Sequence, residues 1–203
     1  MNADALEADG LETHNQNLST KNEIPFSLRD FGEIPKGFIP VYILVSKESL
    51  QHVADNGFRV EDNRMNGRQQ KLEEIFNQTA QDMGVGVDRT KRVFAFPRRP
   101  DRFNVGLSYD PKKSVIVEAM IDPKMQNAVV AEGEYYTEAD SYLEGFGLEA
   151  ARSYAKSYWE TAKPLSEYLK EGHDGSEGDY GDFNLPEILI PENIPTSRMR
   201  VVK

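Results

Sequence analysis

The chain contains no cysteine. Disulfides, thiolate zinc sites, iron–sulfur clusters and a cysteine nucleophile are therefore excluded. No apolar run approaches the ~20 residues that span a bilayer. The opening stretch, Met1 to Gly10, has neither the basic start nor the apolar core of a secretory signal. The expectation is a soluble, cytoplasmic protein with no membrane contact. Histidine is scarce, with three residues. His14 and His173 fall in polar stretches and His52 on a polar position of a predicted helix, so all three read as surface residues and no metal is expected. Three common catalytic signatures are missing. There is no Gly-x-x-x-x-Gly-Lys-Ser/Thr and no Gly-x-Ser-x-Gly, and Gly84-Val85-Gly86 lacks the third glycine and the preceding strand of a dinucleotide fingerprint.

Positive charge is in short supply. Twenty-four Lys and Arg stand against 34 Asp and Glu, a net charge of -10 over 203 residues. That length predicts a single domain able to bury a sizeable core. The acidity is unevenly spread. Residues 1–23 form a polar stretch with little to bury and four acids in its first 22 positions, and predict a disordered acidic tail. The 171–183 region has four glycines and five acids and predicts a mobile loop. The EF-hand spacing is absent from it. Residues 24–203 are predicted to form one domain, which is close to neutral once the acidic 171–183 loop is set aside.

Short apolar, β-branched runs bounded by turn residues predict strands at Phe38–Val45, Arg92–Phe96, Ser114–Ile121, Asn127–Ala131, Pro186–Ile190 and Arg198–Val202. Helical spacing predicts Lys47–Asn56, with Ser46 as N-cap and Gly57 as the stop, and Arg68–Met83. Leu148–Leu169 predicts a helix that Pro164 kinks or splits. Strands and helices do not alternate regularly, which predicts α+β over a doubly wound parallel sheet.

Two features carry chemistry. From Arg89 to Arg102 there are six basic residues and one acid. This island reads either as solubilising charge around a buried strand or as an anion site, with Arg98, Arg99 and Arg102 as phosphate or nucleic-acid contacts. Glu187 opens the apolar strand PEILI, where burial requires no charge. It is either a solvent-facing edge carboxylate or a catalytic one held on a rigid strand end.

Four stretches, in order, carry a likeness to a known family. They are VYILVSKESLQHVADNGF (Val41–Phe58), RVFAFPRRP (Arg92–Pro100), SVIVEAMID (Ser114–Asp122) and PEILIPENIP (Pro186–Pro195). Together they resemble the ADP-ribosyltransferase fold, and within it the DarT-type DNA ADP-ribosyltransferases. The resemblance covers about half of the chain. It implies an α+β fold of two small packed sheets with flanking helices. It also implies NAD as substrate, with Glu187 at the family's catalytic position. The resemblance further implies an essential arginine between the first helix and the second strand, where Arg64, Arg68, Arg89 and Arg92 are candidates. Tyr135 and Tyr136 are candidates to stack on nicotinamide. Ser46 stands where the family carries a histidine; it can hydrogen-bond NAD but cannot stack.

The implied activity is ADP-ribosyl transfer to a macromolecular acceptor, either single-stranded nucleic acid or protein. The alternative implied by Ser46 is a catalytically degenerate relative that binds a partner. Direct nucleic-acid binding by the island alone is a third reading.

Overall fold

The computed structural model describes residues 24–62, 67–100, 110–171 and 183–202. The expected tail 1–23, residues 172–182 of the expected loop, Arg64 and Arg102 lie outside the described residues.

The apolar runs pair into two antiparallel sheets. β1 (Ile39–Ser46), β3 (Ser114–Ile121) and β7 (Met199–Val201) make the first, with β3 in the middle. β2 (Val93–Ala95), β4 (Val129–Glu132), β5 (Lys163–Pro164) and β6 (Pro186–Ile190) make the second, in the order β2-β6-β4-β5. Tyr42 on β1 and Phe96 just after β2 exchange two 2.8 Å backbone hydrogen bonds, which join the sheets at one edge. The fold is α+β.

Strand alternation decides what each sheet face holds. Val41, Ile43 and Val45 of β1, Val117, Ala119 and Ile121 of β3, and Ile188 and Ile190 of β6 share one core between the sheets. The intervening Leu189 points the other way, into a second core. There it meets α2 (Gly67–Asp82), α3 (Glu134–Gly145) and α4 (Leu148–Thr161) through Leu72, Phe76, Ala139, Ala155 and Trp159. The Trp159 indole donates to the Phe76 carbonyl at 2.7 Å, locking α4 onto α2. Two short helices, α1 (Leu50–Asn56) and α5 (Leu165–Lys170), pack against the first core.

Several boundaries differ from those predicted. α1 starts at Leu50, because residues 47–49 form a turn in which Ser46 Oγ accepts from the Ser49 N–H at 3.1 Å. Ser46 thus makes a capping-type bond one turn ahead of the regular helix. Pro164 splits the long helical stretch outright. It sits with Lys163 in β5, paired to Val129 and Val130. The helix α3 is not foreseen by the hydrophobic pattern. No helix among the described residues is long and apolar enough to cross a membrane.

Gly57 fixes the path of the chain as it leaves α1. Its φ of +75° with ψ of -170° is a conformation that side chains disfavour, and a Cβ there would lie 2.3 Å from the Ile194 carbonyl oxygen. That close approach lets Phe58 and Ile194 pair by two backbone bonds, at 2.9 and 2.8 Å. Asn193 Oδ1 accepts from the Val60 N–H at 2.9 Å, so Arg59 is held between two anchored residues.

Candidate active site

A cleft of about 670 Å³ opens where β1 and β2 part beyond the Tyr42–Phe96 pairing. One wall is the end of β1 with α1: Leu44, Ser46, Glu48, Ser49 and His52. The other is β2 with α2 and α3: Phe94, Gln69, Glu73, Arg89 and Tyr136. Glu187 from β6 and Arg59 after α1 complete it. The volume is that of a small-molecule site. In an antiparallel ladder the backbone groups alternate between the two edges of a strand. Tyr42 turns its N–H and C=O toward Phe96, so Leu44 turns its own to the same side, which is now the cleft.

The cleft's inner end is built around Arg89. Gly84, with φ of +74°, ends α2 and reverses the chain. Asp88 then caps a single 3-10 turn, Arg89–Lys91, by accepting from the Thr90 N–H. Asn77 on α2 ties this turn down, accepting from the Arg89 N–H and donating to Asp88, both at 2.9 Å. The Arg89 side chain therefore runs back along α2 to Glu73, one helical turn before Asn77. Its Nε donates to Glu73 Oε2 at 2.8 Å, and its Nη1 donates to Glu187 Oε2 at 2.9 Å. Nη1 also donates to the Tyr158 hydroxyl, which itself donates to Glu187 Oε2 at 2.8 Å. The rings of Tyr136, Phe94, Tyr158 and Phe76 surround the guanidinium, with centroids 4.4 to 5.2 Å away.

Arg89 is 1% exposed, and Glu73 is 2% exposed. Burial opposes the charge on Arg89, but Tyr158, Glu187 and Glu73 outweigh it and hold the group well above the usual arginine range. Burial pushes the Tyr158 hydroxyl well above the usual phenol range. It pushes Tyr136 up too, aided by the neighbouring Glu73 carboxylate. Both hydroxyls therefore stay protonated at neutral pH and remain donors.

Glu187 reaches this network through strand alternation. It shares its face of β6 with Leu189 and lies opposite Ala131 on β4. Gly133 keeps the space beside it open, since a Cβ there would sit 2.9 Å from the Leu185 oxygen and 3.4 Å from Glu187 Cβ. Glu132 holds the approach to the strand. Its carboxylate accepts from the backbone N–H groups of Glu134, Asn184 and Leu185. The Glu187 side chain is 14% exposed, and it opens to the cleft.

Among the sequence candidates, Ser46, Arg89, Tyr136 and Glu187 line the cleft. Arg68, Arg92, Tyr135, Arg98 and Arg99 are not among its lining residues. Arg68 pairs instead with Asp140 at 2.7 Å and with Glu144, both on α3. Arg92 donates to the Asn127 carbonyl at 3.2 Å. Tyr135 packs into the second core. Arg99 acts electrostatically on Tyr42, at the joined edge of the sheets. The basic island is thus divided, with Arg89 in the interior and Lys91 exposed and paired to Asp88 at 3.1 Å.

Three residues of the site escape sequence reasoning. Glu73 reads as an ordinary solvent position on α2, and Tyr158 as core. Arg59 is exposed at the cleft, and no ion pair to it is found among the described residues. Its one sequence signal is its place just after the Asn56-Gly57-Phe58 turn. No cluster of three or more His, Asp or Glu fit to hold a metal occurs among the described residues.

Comparison with protein-family models, with curated proteins and with solved structures gives no match.

Proposed function

We propose that this cleft binds NAD and that the protein, with an ADP-ribosyltransferase-like fold, transfers ADP-ribose to a nucleic-acid or protein acceptor. The supporting observation is convergence. Ser46, Glu187 and Arg89, the last being one of four arginine candidates, are far apart in sequence and meet at one cleft between two sheets.

The chemistry rests on the groups there. The bond from ribose C1′ to the nicotinamide nitrogen breaks, and its electron pair leaves with neutral nicotinamide. The acceptor's nucleophile bonds to C1′ and releases its proton to solvent. Positive charge develops on the sugar in between. The Glu187 carboxylate stabilises that charge and accepts from the ribose 2′-hydroxyl. Arg89 is engaged on all sides and orients Glu187 rather than holding phosphate. Arg59 is the cation for the diphosphate. The Leu44 N–H and C=O match the acceptor and donor of a carboxamide, and the Tyr136 ring offers a stacking face.

Incubation with labelled NAD and mixed acceptors tests this. Glu187→Gln is expected to lower transfer by ~10²- to 10³-fold while leaving binding in place. Equal labelling by wild type and variant would sink the assignment.

One observation favours the second reading, a binding protein without chemistry. The Ser46 hydroxyl is already engaged with Ser49 Oγ at 2.8 Å, so the position where the resembled family has a histidine offers little to NAD. Calorimetry that detects NAD binding with no turnover would select this reading.

A further inference from the structure

Both donors to Glu187 reach the same oxygen. Arg89 Nη1 lies 2.9 Å and the Tyr158 hydroxyl 2.8 Å from Oε2. Oε1 has no hydrogen-bond partner among the described residues. Neither donor can drift. Arg89 is gripped by Glu73 from the other side and caged by four rings. Tyr158 is fully buried on α4, its ring edge-on to Phe76 at 5.1 Å and to Trp159 at 4.9 Å. Two fixed donors on one oxygen set the rotation of the carboxylate about its last bond.

We infer that Tyr158 is a positioning residue. With Arg89, itself anchored by Glu73, it saturates Glu187 Oε2 and leaves Oε1 as the single oxygen offered to the ligand, so the site grips one hydroxyl of the sugar rather than a vicinal pair. This rests on the NAD reading for its ligand, but not for the contact itself. A carboxylate with both oxygens free would rotate to bridge two neighbouring hydroxyls, and would lose alignment with the charge developing at C1′. Fixing one oxygen gives the geometry before the ligand arrives. The Tyr158 hydroxyl is suited to this because burial keeps it a donor across the working pH range.

Two measurements on Tyr158→Phe, which keeps the ring, test the proposal. The first is NAD turnover. The expected result is a fall in kcat of ~10- to 100-fold with KM for NAD within about twofold. An unchanged kcat, or a raised KM with kcat intact, overturns it. The second is a stability cycle in urea with Tyr158→Phe, Glu187→Ala and the double variant. The expected unfolding equilibria depart from additivity by at least about threefold. Additive effects overturn the contact. A coupled cycle in a protein that neither binds nor turns over NAD upholds the contact and overturns the NAD reading alone. If Tyr158→Phe does not fold, the turnover measurement moves to Glu73→Gln, which loosens Arg89 from its far side. A kcat equal to wild type there overturns the proposal.

Discussion

Among the described residues two strand glutamates pair with arginine, and the pairs behave differently. Glu118 on β3 faces Arg200 directly across the ladder on β7, at 2.7 Å. Glu187 on β6 meets Arg89 from a turn beyond α2, at 2.9 Å. Distance does not separate them, but surroundings do. The Arg200 side chain is 45% exposed, and its guanidinium rests over the single ring of Phe31 at 4.5 Å. The Arg89 side chain is 1% exposed, serves two carboxylates and lies among four rings. Water and salt reach Arg200 in the first pair, although the Glu118 side chain is itself only 12% exposed. In the second neither can leave without stranding a charge. An identical pair of functional groups thus has its arginine open to water in one sheet, and its arginine enclosed at the organising centre of a cleft in the other.

The sharpest test of this contrast is Arg89→Ala. It leaves Glu73 and Glu187 close together with no cation, and the expected loss is ~3–5 kcal/mol of unfolding free energy by urea titration. A loss below about 1 kcal/mol would make the two pairs equivalent. Alkaline pH should give an intermediate effect. Tyr136 and Tyr158 are both raised above the ordinary 10.0 by burial. Below pH ~10 they stay protonated in the folded and unfolded chains alike, and their contribution is fully present. Above that the unfolded chain releases its protons first, so stability falls as pH rises toward the folded values. Each tyrosine adds at most ~1.4 kcal/mol per pH unit to this decline. In Tyr136→Phe the decline between about pH 9 and 11 should be shallower, and an unchanged slope would remove Tyr136 from the account. The smallest effect is expected at Arg200→Ala, under ~1 kcal/mol and shrinking further in about 1 M salt. A salt-insensitive loss comparable to that at Arg89 would erase the difference.

How much of this is legible in the sequence varies with the range of the interaction. The strands Ser114–Ile121 and Pro186–Ile190 have the predicted boundaries, because their apolar runs are bounded by turn residues. Glu187 stands out as an acid on such a run. Arg89 cannot be told from Arg64, Arg68 or Arg92 in the sequence, because its partners lie on α2, α4 and β6 and no local pattern encodes them. Glu73 is hidden for the same reason: flanked by Leu72 and Glu74, it looks like a solvent position until Arg89 folds against it. The helix α3 escapes notice because its apolar stripe is thin. Ala139 is its only buried residue, and half-buried Tyr135, Tyr136 and Leu143 carry the rest of its contact with the second core. The kink or split expected at Pro164 is a full break, since two residues there find strand partners on β4.

The strand order of the second sheet has a consequence for how the molecule comes into being. β6 lies between β2 and β4, so a late segment of the chain is inserted at the centre rather than added at an edge. During synthesis α2 and the turn bearing Arg89 leave the ribosome long before residue 187 does. Until then the gap between β2 and β4 has no filling, and Arg89 has one of its two carboxylates, Glu73, to answer it. Contacts of such long sequence separation form slowly, because loop closure precedes any reward. A nascent or truncated chain can thus hold helices and the β1–β3 pair, yet have no cleft. The cleft therefore takes shape in one step, when β6 enters between β2 and β4 and brings Glu187 to Arg89.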